Sequence, residues 1–165
     1  MVVIVMGVTG SGKTTVGALL AQQLSWIFAD ADDFHSAANK EKMHAGIALT
    51  DADRAPWIAA LHEQIEKWIS QDQDAVLACS ALKQSYRDAL APSGQAQPQV
   101  RLVYLDGSYE LIRERLLRRH GHFADEHILK SQFEALEEPN DALVVNIGPP
   151  PSDLVTEIRQ HLGLT

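Results

Sequence analysis

The chain has 165 residues, 45% of them hydrophobic, a formal net charge of −8 and a single cysteine, Cys79. That length fits one compact domain spanning 1–165, and the apolar share excludes a disordered chain. The acidic balance disfavours nucleic acid and anionic membranes as partners, and one cysteine excludes an internal disulfide framework or a cysteine-rich zinc site.

The opening MVVIVMG has no basic segment, and its apolar run is too short for a signal peptide or a membrane span. A reducing, cytoplasmic setting is therefore expected. Val2–Met6 reads as a buried strand from its β-branched content. Lys13–Leu24 follows as a helix with Val16, Leu19, Leu20 and Leu24 on one side, and Ile27–Asp30 as a short second strand. Pro56 suits a helix start, ahead of an i, i+4 stripe of Trp57, Leu61, Ile65, Trp68 and Ile69. Ala75–Cys79 and Leu102–Leu105 read as the third and fourth strands, with 91–99 between them as a surface loop. Ser108 is a cap for a helix bearing Leu111, Ile112 and Leu116. A fifth strand over Ala142–Ile147, a breaker cluster at 148–151 and a last helix over Leu154–Leu162 complete the chain. Strands alternating with helices predict an α/β fold, a five-stranded parallel sheet covered on both faces. Ligands in such sheets bind beyond the strands' carboxyl ends, here after Met6, Asp30, Cys79 and Leu105.

Gly7 to Thr14 reads GVTGSGKT, an ungapped G-x-x-x-x-G-K-[ST] between a predicted strand and a predicted helix. Glycines let the backbone curl with its N–H groups turned inward, and the helix start adds a positive dipole end. Lys13 can reach the β- and γ-phosphates, and the Thr14 hydroxyl can ligate Mg²⁺. A GTPase would need a late N-K-x-D segment, and the nearest match, NKEK at 39–42, ends in lysine and lies too early. A motor or transport ATPase usually ends its third strand in an acidic pair, whereas this one ends Cys79-Ser80.

A small-molecule kinase fits better. Asp30-Ala31-Asp32-Asp33 ends the second strand near the expected γ-phosphate. One carboxylate there can take or orient the acceptor's proton, and another can hold a Mg²⁺ water. A solvated acidic turn or a helix N-cap is the alternative. Arg115, Arg118 and Arg119 precede HGHF, with Arg115 and Arg119 on one helix face. They suit a lid over the triphosphate, with Gly121 as a hinge, or else a solvated basic face.

At these residues the chain resembles the gluconokinase family of shikimate-kinase-like P-loop enzymes. The resemblance rests on GVTGSGKTT (7–15), DADDFH (30–35), NKEKMHAGIALTDADRAPW (39–57), CSALKQSYRDAL (79–90), RLLRRHGHF (115–123) and SQFEALEEP (131–139), and spans nearly the whole chain. It implies ATP- and Mg²⁺-dependent conversion of D-gluconate to 6-phospho-D-gluconate by a homodimer. It also implies a lid at about 118–130 and a substrate-side helical region at about 34–70. A kinase of another hydroxy acid such as shikimate, and a non-catalytic nucleotide-binding regulator, are the alternatives.

By resemblance, Gly7, Val8, Thr9, Gly10, Ser11, Gly12, Lys13, Thr14 and Thr15 bind ATP with Arg115 and Arg119, and Lys13, Asp32 and Arg119 act in catalysis. Thr14 and Asp30 are the metal-side residues, Asp30 through a bound water. Asp32 faces the acceptor hydroxyl, and His35 hydrogen-bonds the polyol. Arg54 grips the gluconate carboxylate, because a guanidinium fork matches it, or else pairs with Asp51 or Asp53. Ser80, Lys83 and Arg87 line the same pocket, unless Lys83 and Arg87 form an ordinary surface face. His122 and Gln132 are further substrate-side residues. Ser36 stands where the family usually has proline, Ala31 for a frequent glycine and Asn146 for a frequent aspartate. Cys79 and Trp57 read as packing residues.

Overall fold

The computed structural model describes residues 1–90, 99–120 and 124–165. Five parallel strands lie in one sheet: β1 (Val2–Met6), β2 (Ile27–Asp30), β3 (Ala75–Ala78), β4 (Val100–Asp106) and β5 (Leu143–Asn146), in the order β2-β3-β1-β4-β5. The helices are α1 (Lys13–Leu24), α2 (Ala37–His44), α3 (Asp51–Ser70), α4 (Gln84–Leu90), α5 (Tyr109–His120), α6 (Ala124–Ala135) and α7 (Pro151–Leu162). None of the described helices is long and apolar enough to cross a membrane.

All five residues of β1 are buried, as a central strand covered on both faces requires. Its side chains alternate between two cores. Val3 and Val5 join Val16, Leu20, Val103, Leu105, Ile112, Val155 and Ile158 on one face. Val2, Ile4 and Met6 join Trp57, Leu61, Ile65, Trp68 and Leu77 on the other. The α3 stripe therefore packs as its spacing predicts, and truncating Leu61, 1% exposed, to Ala would cost about 2–5 kcal/mol.

The predicted bounds hold for β1, α1 and β2. Others shift by local chemistry. Helix α3 begins five residues before Pro56, because Thr50 and Asp53 form a reciprocal capping box. Pro56 sits inside it, and lacks only the N–H that would bond the Ala52 carbonyl. Pro151 takes the first turn of α7, so the last helix starts within the proline run. Strand β4 extends to Val100–Asp106 along its register with β1. Helices α2, α4 and α6 were not delimited by periodicity, being short or polar. Ser36 Oγ accepts from Asn39 N at 3.1 Å and caps α2. Asn146 accepts from Gly148 N at 2.8 Å. The predicted loop falls outside the described residues over 91–98.

Chain order reverses direction across the sheet between β1 and β3, one running on to β2 and the other to β4. The segments leaving these two strands meet there, with Gly7 N donating to the Ser80 carbonyl at 3.4 Å. This crevice is where an open parallel sheet holds its ligands.

Candidate active site

The loop from Gly7 to Gly12 leaves β1 and turns directly into α1. Gly10 at φ 76° and Gly12 at φ 99° occupy left-handed backbone that a side chain would strain. A Cβ on Gly10 would also come within 2.8 Å of Leu116 Cγ. No side chain caps α1 and no acidic residue sits in its first turn, leaving its end free to bind an anion. Ser11 Oγ is buried with no partner among the described residues. An orphan hydroxyl beside uncapped amides fits a polyanionic ligand such as a nucleotide phosphate chain.

Lys13 Nζ donates to the Val8 carbonyl at 3.0 Å, so the lysine folds back over its own loop. Burial lowers its pKa, opposed by the nearby carboxylates Asp32 and Asp30. Thr14 Oγ1 donates to Asp30 Oδ2 at 2.8 Å, and Asp30 Oδ1 accepts from Asp32 N at 3.0 Å. The acidic run is thus both a cap, for the 3-10 turn Ala31–Phe34, and a wall of the site. Surrounding protein raises the Asp32 pKa above the usual carboxylate range, helped by Asp30 and Asp33 and opposed by Lys13. Its side chain still opens onto the cleft.

The Thr14 hydroxyl and the Asp30 carboxylate are hard oxygen donors, as Mg²⁺ requires. Among the described residues no three His, Cys, Asp or Glu side chains cluster as a protein metal cage. That donor set fits an ion held largely by water and phosphate oxygens.

A single cleft of about 530 Å³ is lined by Thr9, Gly10, Gly12, Lys13, Thr14, Thr15, Asp30, Asp32, His35, Arg54, Ser80, Arg119 and Gln132. Most of the sequence-predicted residues are therefore brought together. Gln132 Oε1 accepts from Thr9 N at 2.6 Å, joining α6 to the phosphate loop. His35, 8% exposed, stacks on Trp57 with ring centroids 4.2 Å apart. Burial, then Arg54 and Lys40, lower its pKa. Arg54 Nη1 donates to Tyr86 Oη at 3.3 Å and lies 4.0 Å from Asp51 Oδ1. The ion pair weighed as its alternative is thus loose.

Arg115 and Arg119 line a second hollow of about 430 Å³ with Arg118, Gly148 and Pro149–Pro151. It shares Gly10, Gly12, Thr15 and Arg119 with the first. Arg115 Nη2 donates to the Ile147 carbonyl at 2.6 Å.

Two predicted substrate-side residues stand elsewhere. Arg87 is 7% exposed and donates to the carbonyls of Ala81, Leu82 and Glu137 and to Gln84 Oε1. It is a fastener between the loop after β3 and the segment after α6, and takes no place among the cleft residues. Lys83 pairs with Asp51 at 3.4 Å and lies over the Tyr86 ring, again off the cleft. His122 lies outside the described residues.

The cleft also contains residues that sequence reasoning missed: Met43 in the last turn of α2, Gly46, Ile47, Ala48 and Leu49 after it, and His127, Ile128 and Ser131 on α6. No local sequence signal marks them; folding reveals them by an unusual apolar exposure. Met43, Ile47 and Ile128 are 41%, 56% and 43% exposed, yet all three rim this one cleft. Trp57 both packs and lines the cleft, with its indole N–H on the Ala31 carbonyl at 2.7 Å. Cys79 is buried and its thiol is pushed up to about 12, so it is a neutral core group.

The model of the family described as AAA domain matches residues 2–139. A protein named probable gluconokinase from Mus musculus is 47% identical over 153 residues, covering 84% of this chain and 83% of its own. The thermosensitive gluconokinase of Escherichia coli (strain K12) is 42% identical over 161 residues, 95% and 84% of the two chains. The crystal structure of a gluconokinase from Sinorhizobium meliloti 1021 superposes with a TM-score of 0.86 at 38% identity, covering 98% of this chain and 90% of that one. A shikimate kinase from Aquifex aeolicus, at 18% identity and a TM-score of 0.60, shares the fold. With a phosphate loop at the sheet's switch point and this level of identity along most of its length, the chain belongs to the gluconokinase family of P-loop kinases.

Proposed function

We propose that this protein transfers the γ-phosphoryl group of ATP to D-gluconate, giving 6-phospho-D-gluconate and ADP. The observation that carries the reading is one cleft lined by the phosphate loop, Asp32, His35 and Arg54, in a chain 47% identical to a probable gluconokinase.

In this reading the loop amides and the α1 N-terminus hold the phosphates, and Lys13 moves from the Val8 carbonyl onto the β- and γ-oxygens. Thr14 and water held by Asp30 would bind Mg²⁺, which when present screens the charge on the phosphate oxygens. Asp32, ionised, accepts or orients the proton of the attacking hydroxyl. Arg54 pairs with the gluconate carboxylate, and Ser80, His35 and Gln132 supply hydroxyl contacts. Arg115 and Arg119 close from the nucleotide side, and Arg119 reaches the cleft where charge develops.

We assign the lid to about 118–130 and the substrate side to about 34–70; residues 121–123, with the expected Gly121 hinge, lie outside the described residues. Ile128 on the first and Met43 and Ile47 on the second are apolar lips that would shut water out on closure, suppressing ATP hydrolysis. The reading includes a homodimer working in the cytoplasm. Sedimentation tests the dimer, and a monomer would remove it without touching the chemistry.

The test is ADP release with ATP, Mg²⁺ and separate additions of gluconate, shikimate, idonate and glycerate. Stimulation by gluconate above the others supports the reading. Stimulation by another acid moves the pocket assignments, and silence with ATP still bound contradicts turnover altogether.

A further inference from the structure

We propose that Asn39 is a positioning residue that locks His35 in the neutral Nε2–H tautomer, so that His35 donates into the cleft and is barred from accepting the substrate's proton. Only the identity of what fills the cleft rests on the gluconate-kinase reading.

Asn39 is 6% exposed, and its amide orientation is determined by its neighbours. Asn39 Nδ2 stands 2.8 Å from the Asp53 carbonyl oxygen. A carbonyl only accepts, so the amide nitrogen faces it. The same Nδ2 stands 3.3 Å from His35 Nδ1. An amide nitrogen carries two hydrogens and offers no lone pair, so both contacts are donations. His35 Nδ1 must then be bare, and a neutral imidazole bare at Nδ1 carries its proton on Nε2. An imidazolium would set N–H against N–H.

The surroundings hold the ring in this pose. Trp57 stacks on it at an interplanar angle of 15°, and the Trp57 indole is itself tied to Ala31. The Asn39 backbone N–H is held by Ser36 Oγ, where α2 starts. The charges facing His35 are Arg54 from α3 and Lys40 from α2, both cationic, and with burial they oppose a second proton. Among the described residues His35 Nε2 has no protein partner, the atom is not sealed from solvent, and His35 lines the cleft. The free donor is therefore open to the ligand. The consequence is a division of labour: His35 gives a hydrogen bond to a substrate oxygen, and Asp32 alone takes the proton.

The test is ¹⁵N–¹H long-range correlation spectroscopy of the full-length, ¹⁵N-labelled protein without ligands at neutral pH. His35 should show an unprotonated Nδ1 and a protonated Nε2. In Asn39→Ala the two nitrogens should drift toward a tautomer mixture, and His35 should gain its second proton at a higher pH. KM for gluconate should rise about three- to tenfold, from loss of one oriented hydrogen bond, with KM for ATP unchanged. Asn39→Asp, which offers an acceptor, should shift the proton to Nδ1 and give kcat/KM a new limb near neutral pH. A protonated Nδ1 in the wild-type protein, or unchanged His35 signals in Asn39→Ala, would overturn the proposal. Should Asn39→Ala fail to fold, the wild-type spectrum alone decides. The expected tautomer in a protein that ignores gluconate would sink the functional reading and leave the lock standing.

Discussion

Thr14 Oγ1 donates to Asp30 Oδ2 across 2.8 Å, tying the first turn of α1 to the last residue of β2. This contact joins the two residues proposed to hold the metal. Asp30→Asn should raise the Mg²⁺ concentration for half-maximal turnover about tenfold to a hundredfold, as loss of an outer-sphere partner does. A Mg²⁺ titration of ADP release measures it, and an unchanged midpoint would remove Asp30 from the metal's surroundings.

Lys13 should separate function from stability. Its pKa is lowered by burial, so the folded state holds the proton less tightly than the unfolded chain. The charged lysine therefore subtracts stability, in full below its folded pKa and by progressively less until the pH passes the unfolded value. Lys13→Met should leave denaturation midpoints unchanged or raised while kcat/KM falls by about a hundredfold or more. A destabilised Lys13→Met protein would contradict the burial argument.

The raised pKa of Asp32 sets a pH dependence. A base must be ionised, so kcat/KM should fall on the acid side with a midpoint above the ordinary carboxylate range. The same shift means that ionised Asp32 subtracts stability above its folded pKa, which Asp32→Asn relieves. That variant should be no less stable at neutral pH, lose kcat far more than ATP affinity, and lack the acid limb. Equal losses of kcat and ATP affinity would argue against its role.

Arg54 is held by Tyr86, which also donates to Asp51. Arg54→Lys keeps the charge and loses the planar fork. Its KM for gluconate should rise about tenfold with KM for ATP unchanged. Equal rises for both substrates would place Arg54 outside the acid's binding site.

Arg87 should behave as a structural residue despite its place beside the site. Removing a buried guanidinium that satisfies three carbonyls should cost about 3 kcal/mol, or roughly 6–12 °C in Tm for a chain of this size. KM for gluconate in the folded fraction should stay near the wild-type value. A gluconate-specific defect at unchanged Tm would restore it to the pocket.

The contrast between Arg87 and Arg54 shows how far the sequence could be read. Both are arginines at the fourth position of a helix, and nothing local tells a guanidinium facing a ligand from one buried against carbonyls. Contacts between residues 50 apart, such as Arg87 Nη2 to the Glu137 carbonyl, decide it. The phosphate loop was legible because its chemistry is local: glycine conformations, a lysine and a hydroxyl at fixed offsets. The same locality made β1, α1 and β2 readable to the residue. Helix α3 was legible in its apolar stripe and misread at its start, where the Thr50–Asp53 box outweighs the proline. The cleft's far wall, from Met43 to Leu49 and along α6, is assembled only by folding.

The most direct test of gluconate phosphorylation is ³¹P NMR of the purified protein with ATP, Mg²⁺ and D-gluconate. The account predicts ADP and one new phosphomonoester signal, split by two protons of the primary carbon at position 6. ADP with inorganic phosphate alone, or a phosphomonoester on a secondary carbon, would contradict it.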